Sequence, residues 1–177
     1  RLLAEISGAG DISFHADLLS ADDPLAKQHM LVQRQLFAAR RGAHAAEVAA
    51  LEFSIAGTES QQAGLRQMLQ NRKAQQALQS QQLAGVKALS DEGFAPRNQT
   101  LQLEQAQAEL RSALADMEAS LARLSSTMSE ARQRLAQRRQ EYLKEINAEL
   151  ANVRREVQAN EEKLAAMTIE LDRMQIR

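Results

Sequence analysis

Three histidines, His15, His29 and His44, are the side chains best suited to hold a metal or move a proton near neutral pH. His29 and His44 share one helical stretch but lie about 22 Å apart by helix rise, too far to share an ion. His15 sits in an irregular connector. Solvated or packing roles are expected for all three, with no metal and no cofactor. Carboxylate pairs such as Asp22–Asp23 and Glu161–Glu162 are abundant, but adjacent residues on a helix point apart. Paired acid–base work would also need a pocket that excludes water. The metalloprotease, Walker, dinucleotide-binding and nucleophile-elbow motifs are absent. Without cysteine there are no thiol nucleophiles, disulfides or Cys-based zinc sites. An enzyme is not expected.

Three other groups invite a chemical reading. Arg132, Arg134, Arg138 and Arg139 form a basic run; a solvated face paired with Glu130 and Glu141 is preferred to a binding patch. Met117, Met128, Met167 and Met174 read as core filling. Phe94 stands between Gly93 and Pro96. It either folds back onto Leu89 and Leu101 to close a turn, or it docks another protein.

The 177 residues carry a net charge of -1 and only 3% aromatics, with no Trp. Aromatics supply much of the buried area of thick cores, so a thick globule is not expected. Ala, Leu, Gln, Glu and Arg dominate, the bias of long helices and coiled coils. Charge near zero and scarce aromatics argue against nucleic acid as a partner. No apolar run of about 18 residues is present, so no spanning helix is expected. The chain opens at Arg1 without Met or a signal-peptide pattern, which suggests a piece of a longer protein.

The elements follow from punctuation. Arg1 to Ile6 reads as the end of a helix stopped by Ser7, Gly8 and Gly10. Asp11 to Ser20 reads as irregular or briefly helical, with Ile12, Phe14, Leu18 and Leu19 packing on a neighbouring helix. Ala21-Asp22-Asp23-Pro24 is a helix start, since Asp22 or Asp23 can cap and proline suits the first turn. The pattern then stays helical to about 91, with a kink or soft spot possible near Gly57. Asp91 to Asn98 breaks it. Gly93 can take the left-handed cap conformation, and Pro96 blocks continuation. The second long helix, 97–174, contains no Gly or Pro.

Apolar spacing places a seam on each leg. On the second, Leu110, Leu114, Met117, Leu121, Leu124, Met128, Ala131 and Leu135 alternate 4-3, the mark of a coiled coil. The row passes Arg138 to Tyr142, Ile146 and Leu150 in 4-4 steps, a stutter. It resumes 4-3 through Val153, Val157, Asn160, Leu164, Met167, Leu171 and Met174. The first leg has a weaker row: Val48, Leu51, Ile55, Thr58, Gln62, Leu65, Leu69, Arg72, Gln76, Gln79, Leu83 and Val86. Its polar end near the turn predicts loose or wet packing. At about 1.5 Å per residue each leg would span roughly 100 to 115 Å. Near-equal legs joined by a short turn should fold back antiparallel. The expected fold is all-α: a long antiparallel two-helix coiled-coil hairpin with a short additional N-terminal helical segment. Residues 1–23 form the end of a preceding helix plus connector. Residues 24–177 form the hairpin, with legs about 24–91 and 97–174 and tip 91–98.

Three stretches carry a family likeness: RLLAEISG with DISFHADLLSADDP and QRQLFAARR (Gln33 to Arg41); LSDEGFAPRNQTLQLEQAQAEL (Leu89 to Leu110); and the closing LDRMQIR (Leu171 to Arg177). The chain resembles the periplasmic adaptors, or membrane-fusion proteins, of type I secretion, the HlyD family, in the branch that exports proteases and lipases. The likeness covers nearly the whole chain. It implies a periplasmic adaptor subunit anchored in the inner membrane of Gram-negative bacteria. Such a hairpin would bridge an inner-membrane ABC exporter to a TolC-like outer-membrane channel, in a homo-oligomer of typically six protomers that conducts a secreted protein cargo. The family's lipoyl-like, β-barrel and membrane segments fall outside this stretch.

Drug-efflux adaptors carry an Arg-x3-Leu-x6-Ser pattern at the tip for channel contact. Here Leu89 matches the Leu, while Gly85 and Pro96 stand where the Arg and Ser would be. Leu89 thus carries over from the resemblance. Gly93, Phe94, Pro96 and Arg97 join it as candidate channel contacts by their place at the tip. Two other readings stay open: a structural coiled coil that dimerises, and the adaptor of a drug-efflux pump. A metal-dependent helical-bundle enzyme is disfavoured by the absence of a Glu-x-x-His pair.

Overall fold

The computed structural model describes residues 1–20 and 22–175. Ala21, which opens the acidic step, and Ile176-Arg177 of the closing segment lie outside the described residues. The elements in chain order are α1 (Leu2–Ser7), α2 (Ala16–Ser20), α3 (Pro24–Asp91) and α4 (Arg97–Gln175). No strand occurs among the described residues. The α3 helix runs unbroken through Gly42, Gly57, Gly64 and Gly85. The chain divides into two compact units, Arg1–Ala50 with Leu135–Arg177, and Leu51–Arg134.

In the unit Leu51–Arg134, α3 and α4 run antiparallel and meet along the expected rows. The least exposed residues of α3 there are Leu51, Ile55, Thr58, Gln62, Leu65, Leu69, Gln76, Gln79, Ser80, Leu83, Val86 and Ser90. Opposite them, Leu110 and Leu114 are buried, and Met117, Leu121, Leu124, Met128 and Ala131 are half-buried. Arg72 departs from the expected seam: it is exposed and donates to the Gln75 side chain at 2.9 Å. A long guanidinium stem can leave a seam and keep its charge in water. Near the turn the seam is polar, with Gln107 Nε2 donating to Ser80 Oγ at 2.8 Å across the helices.

Ion pairs frame this seam at a fixed interval. Arg132–Glu59 (2.6 Å), Lys73–Glu118 (2.8 Å) and Lys87–Glu104 (3.9 Å) join α3 to α4. On α3 the partners are 59, 73 and 87; on α4 they are 132, 118 and 104. Two seven-residue repeats separate each pair from the next on both helices, so the register is that of a coiled coil.

In the unit Arg1–Ala50 with Leu135–Arg177, three helices meet. Gly8, at φ 70, ends α1, and the Ala9 N–H closes the cap on Ala4 O at 2.9 Å. The Asp11 carboxylate accepts from the Ile12 N–H at 2.7 Å, and Ile12 is buried. Phe14 is half-buried under the Arg34 guanidinium, 5.3 Å from the ring centroid. Leu18 and Leu19, expected to pack, are exposed, because they lie on the single short turn of α2, all of which faces water. Asp23 Oδ1 accepts from the Leu25 N–H at 2.9 Å, so Asp23 caps α3 with Pro24 in the first turn.

Phe37, Leu2 and Ile146 form the apolar centre of this unit, and Ile146 has no exposure at all. Burial of one such side chain contributes about 1.5–3 kcal/mol. Tyr142, Ile146 and Leu150, the stutter, lie where α4 meets both α1 and α3. Beyond Leu150 every described residue to Met174 is exposed, with Val153 bordering a groove shared with Leu2, Leu3 and Gln33. Met167 and Met174, read from sequence as core filling, are 65% and 70% exposed. Arg1 bonds both Gln33 of α3 and Glu149 of α4, so α1 stands between the long helices where their seam ends.

Candidate functional site

The turn between α3 and α4 is built by one glycine. Gly93 has φ 84, a conformation an L side chain resists. This reversal lets the Phe94 N–H reach Leu89 O at 2.8 Å and the Gly93 N–H reach Ser90 O at 3.1 Å. Together these bonds form a Schellman cap. The Ala95 N–H adds a second bond to Leu89 O at 3.2 Å. Pro96 then cannot continue a helix and precedes α4, whose first turn starts with Gln99 N–H on Pro96 O at 3.0 Å.

The cap fixes the backbone but leaves the side chains outside. Phe94 is 79% exposed. The alternative in which it folds onto Leu89 and Leu101 fails on burial, since those two are themselves 49% and 56% exposed. Pro96 and Arg97 are exposed and Ala95 is half-buried. Leu89, Gly93, Phe94, Pro96 and Arg97 therefore lie on one short turn: a bare aromatic ring, a leucine and a guanidinium on hydrogen-bonded backbone. Such a surface can bind another protein by apolar contact. Beside it lies an open, largely polar groove of about 570 Å³ whose lining includes Lys87, Asp91, Arg97 and Glu104.

The histidines fall elsewhere. His15 and His29 are exposed. His44 stacks on Tyr142, centroids 3.9 Å apart and planes 6° from parallel. Burial and then the Arg138 charge hold its pKa below the usual histidine value. Among the described residues no cluster of three or more His, Asp or Glu is placed to hold a metal ion. The arginine run pairs differently from expectation. Arg132 takes Glu59 and Arg138 takes Glu47, both on α3, with Glu145 at 3.6 Å from Arg138. Glu141, on the same helix, adds its charge to the surroundings of Arg138.

A second constellation was invisible in the sequence. Around α1, Arg1, Glu5, Arg40 and Glu149 make mutual ion pairs, and Tyr142 donates its hydroxyl proton to Glu5 at 3.2 Å. The only local signal was the spacing of Arg1 and Glu5 along one turn. The other partners lie far apart in the chain. Burial opposes the charge on Glu149, but the Arg40 hydrogen bond and the Arg1 and Arg40 charges outweigh it and hold its pKa below the carboxylate norm. Burial likewise opposes Arg40, and the Glu149 bond with the Glu5 charge raises its pKa regardless.

No helix among the described residues is long and apolar enough to cross a membrane. Comparison with known proteins gives a consistent result. The family model for AprE, long alpha-helical hairpin, matches residues 1–169. The alkaline protease secretion protein AprE of Pseudomonas aeruginosa (strain PAO1) is 36% identical over 178 residues, covering 100% of this chain and 41% of that protein. The chain thus spans about two fifths of that relative's length. The crystal structure of the soluble domain of LipC, a membrane fusion protein of a type I secretion system, superposes with a TM-score of 0.79 at 30% identity. That match covers 85% of this chain and 71% of the LipC chain. Both relatives are named for secretion. With a family model spanning nearly the whole sequence and the same helices in a solved relative, the chain belongs to the AprE family of long alpha-helical hairpins.

Proposed function

We propose that this chain is the helical hairpin of a periplasmic adaptor in type I protein secretion and that its turn docks a TolC-like outer-membrane channel. In this reading residues 1–23 form the connector and 24–177 the hairpin. Lipoyl-like, β-barrel and inner-membrane segments belong to the remainder of the protein. The opposite end of the adaptor meets an inner-membrane ABC exporter. Several protomers, typically six, enclose the path of a secreted protein. The role is associative: the helices hold a distance and a surface, and no bond of the cargo is made or broken.

The observation that carries the docking role is Phe94, 79% exposed on a turn whose backbone is pinned by the Gly93 cap. A ring held in water without a partner inside its own chain is a ready anchor for another protein. Leu89 and Arg97 flank it with an apolar contact and a charged hydrogen-bond donor. The test places a photo-crosslinking residue at Phe94 in the full-length protein in its own cells. An adduct with an outer-membrane channel protein supports the reading. Adducts only with other copies of itself, or with cytosolic proteins, would hand the function to a structural coiled coil.

A further inference from the structure

Within the unit Leu51–Arg134 each long helix carries a second row, on the side turned away from the seam. On α3 it steps 3-4 from Phe53 through Ala56, Ser60 and Ala63 to Ala84 and Ala88. On α4 it steps 4-3 from Leu101 through Ala108, Ser112, Ala115 and Ala119 to Gln133. Every residue of both rows is exposed, Phe53 by 82%. None is Asp, Glu, Lys or Arg, although 25% of the chain is charged. A helix face left to water ordinarily carries the charged residues as well as the polar ones. Here the charges lie beside the rows. Glu59, Lys73 and Lys87 pair across the seam, and Glu109, Asp116, Arg123 and Glu130 follow one flank of the α4 row at seven-residue spacing.

We propose that the two rows form one interface between copies of this chain, the α3 row of one copy lying against the α4 row of the next. This rests on the adaptor role inferred above and adds the surface on which its protomers meet. A sustained seven-residue repeat suits a helix lying lengthwise along it and gives nothing to an irregular occupant. A foreign helix would account for one row; a second copy accounts for both. The pairs Glu59–Arg132 and Lys87–Glu104 fix which residues of the two legs are level. By that register Ala77 is level with Ala115, and Ala84 with Ala108, to within about one residue. Copies standing side by side with their turns together therefore bring row against row without a stagger. Each α3 then runs antiparallel to its neighbour's α4, as across the seam, and the rows bury no unpaired charge.

The rows also set an angle. Each lies about 150° round its helix from the seam. Because the legs run in opposite directions, both rows turn by about 30° toward the same face of the hairpin. Successive copies are then rotated by roughly 50–60°, for 3.5 to 3.6 residues per turn, and about six or seven close a ring. Rows of about 35 residues are about 50 Å long and a helix is about 10 Å wide, so one contact covers on the order of 1,000 Å² from both partners, the lower limit for a specific interface. A single contact is weak; closure holds every copy by two.

The test uses the full-length protein in its own cells, with Ala77→Cys and Ala115→Cys in one chain and any cysteine elsewhere replaced. Within one hairpin the two positions lie on opposite edges, about 20 Å apart, so oxidation joins them only between copies. A ladder of covalent oligomers is expected, with either single substitution giving less than about one tenth of the product. Ala74→Glu, which puts a charge inside the row, should reduce the ladder about five-fold or more. Gln75→Glu, exposed but outside the row, should leave it within about two-fold. Single variants that cross-link as well as the double one would mean a two-fold contact and overturn the pairing of α3 with α4. Absence of the ladder, or adducts only with a different protein, overturns the interface altogether. Photo-crosslinking from Phe94 is read in the same cells. A channel adduct without the ladder leaves the adaptor role standing while the interface falls, and a ladder without that adduct keeps the interface and removes the docking role.

Discussion

Ile146 and Leu164 lie on the same apolar row of α4, yet water reaches none of the first and 67% of the second. The 4-4 steps that carry Ile146 and the 4-3 steps that carry Leu164 both keep apolar residues on one helix face. What differs is company: Ile146 lies where α4 meets α1 and α3, whereas every described residue from 151 to 174 is exposed. A repeat therefore marks where a helix could be covered, and only a second element decides whether it is. The largest expected effect follows from this. Ile146→Ala should destabilise the protein by about 2–4 kcal/mol through lost burial and a residual cavity. Leu164→Ala should cost less than about 0.5 kcal/mol. Urea midpoints of the two variants decide the matter, and equal shifts would show that Leu164 is covered in solution.

Two glycines give a comparison of opposite sign. Gly93 sits at φ 84, while Gly57 is inside α3, and a Cβ at either would meet nothing within 4 Å. Space is therefore not the issue; backbone conformation is. Gly93→Ala should destabilise by about 1 kcal/mol because the left-handed cap resists a side chain. Gly57→Ala should stabilise by about 0.5–1 kcal/mol, since alanine loses less freedom in a helix interior. Thermal unfolding of both variants checks the pair. A loss at Gly57 would point to a need for flexibility there that the continuous helix does not display.

Acid should weaken the three-helix unit more than the two-helix one. His44 has a depressed pKa, so the unfolded chain binds its proton more readily than the folded one. That contribution is full above about pH 6.5 and is lost as pH falls toward the folded value. Glu149 is also depressed. Its contribution is present above the ordinary carboxylate value of about 4.3 and is lost as pH falls through the folded value. Because its side chain is 37% exposed, solvent screening keeps this effect modest. Urea melts at pH 8, 5.5 and 3 should show two successive losses. His44→Phe, which keeps a ring on Tyr142, should remove the first and leave the second.

What the residues disclosed in advance was whatever depends on near neighbours in sequence. Gly93, Pro96 and Asp23 act through bonds to residues within five positions, so their roles could be read directly. The seam from Val48 to Val86 could be read because a helix turns a linear spacing into a face. The errors share the opposite cause. Arg72 stands at a seam position but its stem carries the charge away. Met167 and Met174 keep the spacing without a partner. Arg132 takes a carboxylate on α3, and Arg138 takes one on each long helix. The ring of Arg1, Glu5, Arg40 and Glu149 joins residues up to 148 positions apart, which no local pattern records. At the turn, the chain reversal was legible from Gly93 and Pro96. The exposure of Phe94 was not, since it depends on how Leu89 and Leu101 are turned.

The smallest expected effect concerns the ion pairs that flank the seam of Leu51–Arg134. Arg132 and Glu59 are 2.6 Å apart but 57% and 50% exposed, so each is well solvated whether or not they meet. Arg132→Ala should cost only about 0.2–1 kcal/mol, and less at high salt. A double-mutant cycle with Glu59→Ala isolates the coupling. Yet these pairs recur every two seven-residue repeats, at the same opposition of α3 to α4. A slip of the helices by one repeat would keep apolar facing apolar while misaligning every pair. Their larger effect should then be on register rather than on stability. Exchanging the charges, Glu59→Arg with Arg132→Glu, should leave spin-label distances between α3 and α4 unchanged. Making both sites acidic should broaden those distances even though the unfolding midpoint moves little. Unchanged distances in the doubly acidic variant would assign register to the apolar row alone.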